Sequence, residues 1–334
     1  MVSVILGVEQ LFHFDMNIIY KKTSDLSSIE MNQICNVFEQ VFGRKKTVVE
    51  FKDEFLNTDL GYSFHGMVLN SEQKVVGAQS YIPFSYFVDN TKMLFALSVD
   101  TMIMPEYRNF DNIYDLWTLG RKYIKDEGIV FLFGFPNDNS YPLSVTGFGD
   151  KDIGNLSTYI LPLKIGAVNQ NLKYLNFLSG LFCHILFIIS SFNRNKLQCS
   201  RRVVKDRQTF DKTRFKWFHG DYITVRRKDW MFVYKISEYE GIRTSFLMDV
   251  YPMSKQNFDN AVKIMYKRNH KDFDIALYVG HLDFTPFTMI EVPKRFEPKT
   301  FHFTGKTLDK AILQSDVIYN IENWEVNLSS YDLL

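Results

Sequence analysis

Three cysteines in 334 residues, Cys35, Cys183 and Cys199, form no Cys-x-x-Cys pair. They indicate neither a disulfide framework nor a thiolate zinc site, and a reducing, cytoplasmic setting fits them best. Seven histidines are scattered without an HxH or HxxxH spacing, so no metal site is expected. Gly-x-Ser-x-Gly, a Walker loop and Gly-x-Gly-x-x-Gly are all missing, which removes the usual support for hydrolase, kinase and Rossmann readings. An excess charge of either sign is missing too. A formal net charge of +1 argues against a nucleic-acid binder working through its overall field. A basic start and a small-residue cleavage site are absent from residues 1–15, so no signal peptide is read there. Met16 precedes a strand-like Asn17–Tyr20 and leaves open a start at either methionine.

What is plentiful is aromatic carbon: 31 Phe among 16% aromatics, within 46% hydrophobic residues. That is enough to build a core and also to line an apolar cleft. The length predicts two domains. We place them at 1–165 and 206–334, with a connector at 166–205.

The first half predicts a mixed α/β, or α+β, order. Ser27-Ser28-Ile29-Glu30 has the form of a capping box, and Ile34, Phe38, Val41 and Phe42 then share one helix face that Gly43 stops. Strands are expected at Gly66–Leu69, Val75–Ile82, Tyr86–Val88 and Met93–Met104, with a turn at Asp89-Asn90. Pro105 ends the last of these. A helix follows over 112–126, then a short buried strand Ile129–Phe133, and then Gly134-Phe135-Pro136-Asn137 and Gly147-Phe148. The second half repeats this outline more weakly: strands at Trp230–Ile236 and Thr244–Val250, a helix over Ser254–Asn269, and strands at Asp274–Val279 and Phe287–Val292.

Two segments complicate the picture. Leu175–Phe192 carries no charge over eighteen residues and predicts a helix buried between the domains. Attachment to a membrane surface through 175–202, or a true span, stays open. The basic stretch Arg194, Lys196, Arg201, Arg202, Lys205 and Arg207 is read as a solvated face, with contact to phosphate or anionic lipid as the other reading.

The strand–turn–helix–strand order of 94–149, with Tyr107-Arg108 at the turn and Gly134-Phe135…Gly147-Phe148 after it, resembles the acyl-CoA-binding core of the GNAT acyltransferases. The tail Asn323–Leu328 with Tyr331-Asp332 resembles that of two-domain bacterial members acting on cell-surface polysaccharide. The resemblance implies a GNAT-like sheet flanked by helices, a second degenerate GNAT-like unit, and transfer of an acyl group from acetyl-CoA or another acyl-CoA to a small-molecule amine. It implies pantetheine on Met102, Ile103 and Met104, and pyrophosphate on the turn Arg108-Asn109-Phe110-Asp111-Asn112-Ile113, with Asn139 nearby.

In the family, glycines in that turn let backbone N–H groups approach phosphate. Here Asp111 and Ile113 hold those positions, and Asp111 fits equally well as the cap of the helix. The family's tyrosine proton donor falls on Leu143, which leaves Tyr141, two residues away, as candidate donor and Asp100 as candidate base. Two alternatives remain. One is a non-catalytic module keeping the fold. The other is an aminoacyl-tRNA-dependent transferase of the peptidoglycan-bridge type, in which the basic stretch would meet RNA.

Overall fold

The computed structural model describes residues 16–192, 199–216, 221–297 and 299–331. Residues 1–15, Arg194, Lys196, Trp217, Phe218 and Asp332 lie outside them. The first half runs β1 (Asn17–Lys22), α1 (Ser28–Phe42), α2 (Val48–Leu56), β2 (Phe64–Leu69), β3 (Val75–Val88), β4 (Thr91–Ile103), α3 (Phe110–Asp126), β5 (Phe131–Gly134) and β6 (Lys151–Pro162). Local chemistry explains most boundaries. Ser27 and Glu30 cap α1 reciprocally, and Gly43 closes it in the left-handed conformation at φ 68°. Asp89 and Asn90, at φ 48° and 70°, make the tight turn between β3 and β4.

The second half runs α4 (Ile165–Val168), α5 (Asn176–Ser191), β7 (Val203–Lys205), α6 (Arg207–Thr213), β8 (Tyr222–Arg226), β9 (Met231–Tyr239), β10 (Ile242–Tyr251), α7 (Lys255–Asn269), β11 (Ile275–Gly280), β12 (Ile290–Glu291) and β13 (Phe301–Thr307). Antiparallel β8, β9 and β10 lead through α7 to β11, which lies parallel to β10. This repeats the order β2, β3, β4, α3, β5 of the first half.

The strands join in the order β1-β2-β3-β4-β5-β13-β6-β11-β10-β9-β8, with β7 beside β3 and β12 beside β6. Strand β13, which the sequence pattern does not announce, enters between β5 and β6 through Thr304↔Gly134 and Phe301↔Leu156. The C-terminal tail follows it inward. Trp324 is buried against Phe303, Tyr86, Phe131, Phe95 and Phe133, with ring centroids 4.9–5.9 Å apart, and its indole N–H donates to the Ile318 carbonyl at 2.7 Å. The many phenylalanines therefore serve the core first.

Two expectations are corrected. Within the basic stretch, Lys205 and Arg207 are not solvated. Lys205 donates to Asn327 Oδ1 at 3.0 Å and Ser329 Oγ at 2.7 Å, while Arg207 pairs with Asp249 and Glu325, so both tie the tail down. Helix α5 exists as expected but is not buried between two domains. It packs on β6 and α7 along one side only, and Phe177 and Ile188 are 80% and 62% exposed.

Candidate functional site

Strands β4 and β5 run parallel for three residue pairs, Phe95↔Phe131, Ala96↔Leu132 and Leu97↔Phe133, and then part. The cause lies one strand away. Opposite Gln79 of β3, strand β4 places two residues, Asp100 and Thr101, and Asp100 sits at φ 51°. Such a bulge raises local twist and bends the strand that carries it. On the other side Pro136, lacking an N–H, cannot extend the β5 ladder. Between the parted strands and α3 lies a cavity of about 710 Å³, walled by residues 97–103 and 132–137, with Arg108, Ile113, Trp117, Leu143, Ser144, Phe148 and Asp150 among its lining.

The strand-borne candidates fall on this cavity in part. Met102 and Ile103 line it, and the Ile103 carbonyl accepts from Arg108 Nη2 at 2.9 Å and Nε at 3.2 Å, holding the guanidinium at the strand's end. Met104 lies outside the lining, its N–H spent on the Val76 carbonyl at 2.9 Å. Asp100 is on the wall. The bulge breaks the two-residue alternation expected for it, and its carboxylate is held by Lys46 at 2.8 Å, which also pairs with buried Glu54 at 2.8 Å.

The turn is arranged differently from expectation. Asn109, not Asp111, caps α3: its Oδ1 accepts the Asn112 N–H at 2.7 Å, and its carbonyl accepts the Ile113 N–H at 3.3 Å. The second of these is the first ordinary bond of the helix; the first takes up one backbone donor that a phosphate would use. Asp111 is an exposed carboxylate in the first turn, Phe110 stacks on Tyr114 at 5.8 Å, and Asn112 Nδ2 donates to the Tyr107 carbonyl at 2.8 Å. Of the turn residues only Arg108 and Ile113 reach the cavity wall; Asn139 reaches it from the loop after β5.

Tyr141 does not reach it. Its ring lies against that of His302 at 3.8 Å, and His302 Nε2 is 3.0 Å from Asp138 Oδ1. Leu143, at the family's proton-donor position, does line the cavity but has no proton to give.

The structure adds a polar group the sequence reading missed. Ser144 Oγ donates to Asp150 Oδ2 at 2.7 Å, and Arg121 Nη2 donates to Asp150 Oδ1 at 2.5 Å. Arg121 also donates to the Phe148 carbonyl at 2.7 Å and lies over Trp117, whose ring stacks on Phe148 at 4.3 Å. Burial pushes the Asp150 carboxyl above its ordinary range, against the pull of Arg121, and pushes the Arg121 guanidinium down. The one available signal was Trp117 and Arg121 at i, i+4 on α3, one turn apart on the face toward Gly147–Asp150.

No protein-family model and no curated protein matches the sequence. Solved structures do. A GCN5-related N-acetyltransferase from Kribbella flavida superposes with a TM-score of 0.57 at 11% identity, covering 89% of this chain and 72% of that one. One from Anabaena variabilis gives 0.54 at 13% identity, covering 87% and 73%. A GCN5-related glucosamine N-acetyltransferase region of a fungal multi-domain β-N-acetylglucosaminidase gives 0.50 at 11% identity, covering 88% and 38%. With its parted parallel strands and a weaker second copy of the same order, the chain has the fold of the GCN5-related N-acetyltransferases.

Proposed function

We propose that this protein is an N-acyltransferase that moves an acyl group, acetyl in the simplest case, from acyl-CoA to the amine of an amino sugar or cell-surface precursor. The observation that carries this reading is the cavity at the point where β4 and β5 part. A strand edge released from its partner offers unpaired backbone donors and acceptors, which suit the amides of a pantetheine arm. The residues fit that arm better than they fit the pyrophosphate. Arg108 supplies a fixed cation at the turn and the α3 N-terminus supplies its dipole, but the Asn109 side chain has already taken the Asn112 N–H.

When bound, acyl-CoA supplies an activated thioester. The chain's own residues would hold and deprotonate the acceptor. The amine nitrogen bonds to the acyl carbon, the carbon–sulfur bond breaks, and the departing thiolate gains, through water, a proton equivalent to the one the amine loses, which returns the Asp150 carboxylate to its starting state. Asp150, made more basic by burial, takes the proton the amine loses, and Ser144 bridges its carboxylate to the cavity. Arg121 keeps Asp150 oriented. The amino-sugar class rests on the tail resemblance and on the activity named for the fungal fold neighbour.

The test is ligand-dependent stability followed by turnover. CoA or acetyl-CoA at 100 times its Kd should stabilise the fold by about 2.7 kcal/mol, and thiol release from acetyl-CoA should then depend on added amine. Stabilisation without turnover on any amine, or no stabilisation at all, would favour the non-catalytic module. Asp111→Gly should tighten CoA binding by removing a negative charge from the first turn of α3, just after Arg108.

A further inference from the structure

Helix α5 is built inside out for a protein surrounded by water. Its small and polar side chains Ser179, Cys183 and Ser190 are buried against the protein. The Ser179 hydroxyl donates to the Pro162 carbonyl, and Lys263 Nζ on α7 donates to Ser191 Oγ at 3.2 Å. The large apolar side chains point the other way. Phe177, Leu181, Ile185, Ile188 and Phe192 recur at i, i+4, i+8, i+11 and i+15 and are 45–80% exposed, with Leu178, Phe182 and Ile189 beside them. Isolated exposed leucines are ordinary; a continuous outward stripe of this size marks an interaction surface.

The charge around the stripe identifies the occupant. From Ile153 to Lys205 the sequence has no Asp or Glu over 53 residues; of its seven Lys or Arg, Lys164, Arg201, Arg202 and Lys205 have partners within the protein. Lys173 is exposed just before α5, Arg194 and Lys196 follow it closely in the chain, and Lys263 and Lys267 lie one turn apart on α7 alongside it. Of the acids on and near α7, Asp259 accepts the Thr288 N–H at 3.0 Å and also faces Lys263, and Asp274 pairs with Lys164 and Arg243 at 2.7 Å. An apolar stripe flanked by cations matches an anionic lipid surface, where rings enter the acyl boundary and ammonium groups meet headgroup phosphates.

We propose that α5 is an in-plane membrane-docking helix that seats this protein on an anionic bilayer. The stretch Gln170–Ser191 is apolar and long enough to cross a membrane by composition. Its buried side nevertheless anchors it along β6 and α7, and the 16 residues of α5 span about 24 Å, short of a ~30 Å hydrocarbon core.

The test is cosedimentation of the full chain, purified without detergent, with phosphatidylcholine vesicles with and without phosphatidylglycerol. Binding should need the anionic lipid, weaken as salt rises, and fall about tenfold or more in Phe177→Glu/Ile188→Glu. That variant should keep the wild-type melting temperature, since both side chains are exposed. Lys173→Glu/Lys267→Glu should lose the preference for anionic lipid. Failure to bind either vesicle overturns the proposal. So does a light-scattering dimer that the Glu variant dissolves, which would make a second copy the occupant, or membrane retention resistant to alkaline wash, which would make α5 a span.

Discussion

Replacing Lys46 by methionine isolates the ion pair that holds the bulge of the cleft. Lys46 is 7% exposed and lies 2.8 Å from both Glu54 Oε2 and Asp100 Oδ2, with the rings of Phe38 and Phe55 at 4.3 and 5.3 Å. Methionine keeps the stem and the contact with the rings but leaves two carboxylates facing each other, one of them fully buried. Removing one partner of a buried pair costs about 3–5 kcal/mol, mostly from the stranded charge. The stranded carboxyls would then titrate above their unfolded values. A folded state that binds extra protons gains stability as pH falls, so the loss should be largest near neutrality and shrink as the carboxyls protonate. Urea unfolding of wild type and variant at pH 7 and pH 5 measures both quantities. The triple change Lys46→Met/Glu54→Gln/Asp100→Asn, which removes every charge of the group, should recover much of the loss. A loss below about 1 kcal/mol at pH 7, or one that does not change with pH, would refute the reasoning.

Three other outcomes follow from the same geometry. Gly120→Ala gains about 1 kcal/mol of helix propensity, but its new methyl would strike the Tyr81 hydroxyl and approach Tyr81 Cζ and Tyr20 Oη to 2.9 Å. Overpacking of about 1–3 kcal/mol should win, and a higher melting temperature in the variant would disprove it. His65 is buried between Thr23 Oγ1 at 2.8 Å and Ser80 Oγ at 2.9 Å, and burial pushes its pKa down to about 3. Its stabilising contribution is complete above the unfolded value of about 6.5 and declines by up to about 1.4 kcal/mol per pH unit as pH falls toward the folded value. His65→Gln should flatten that part of the acid-stability curve, and an unchanged curve would count against it. Asp150→Asn keeps the side chain's size but removes the proton acceptor and the charge that pairs with Arg121, so the melting temperature should fall and turnover of the folded variant should fall about 10²–10⁴-fold while CoA-induced stabilisation persists; full turnover would remove Asp150 from the chemistry.

Signals carried by a few neighbouring residues were legible in the letters. The capping box at Ser27–Glu30, the stop at Gly43, the turn at Asp89-Asn90 and the strand–helix–strand order around Arg108 all depend on contacts within one helical turn or one hairpin. The candidate cleft was legible to the same extent, because Met102, Ile103 and Arg108 sit where that local order puts them. Tertiary pairing decided the rest. Asp100 turns to φ 51° only because β4 carries one residue more than β3 can match, so simple alternation misplaced it. Asn109 displaced Asp111 as the helix cap, although both residue types serve that position. Tyr141 was drawn off the cleft by His302, a residue far away in sequence, while Asp150 was brought to it by Arg121. For α5 the letters gave an apolar helix, but a run without charge does not say which side a protein covers. Only the packing of Ser179 and Cys183 against Pro162 turned its large side chains outward, because small residues let the helix approach the sheet closely where phenylalanine and isoleucine could not.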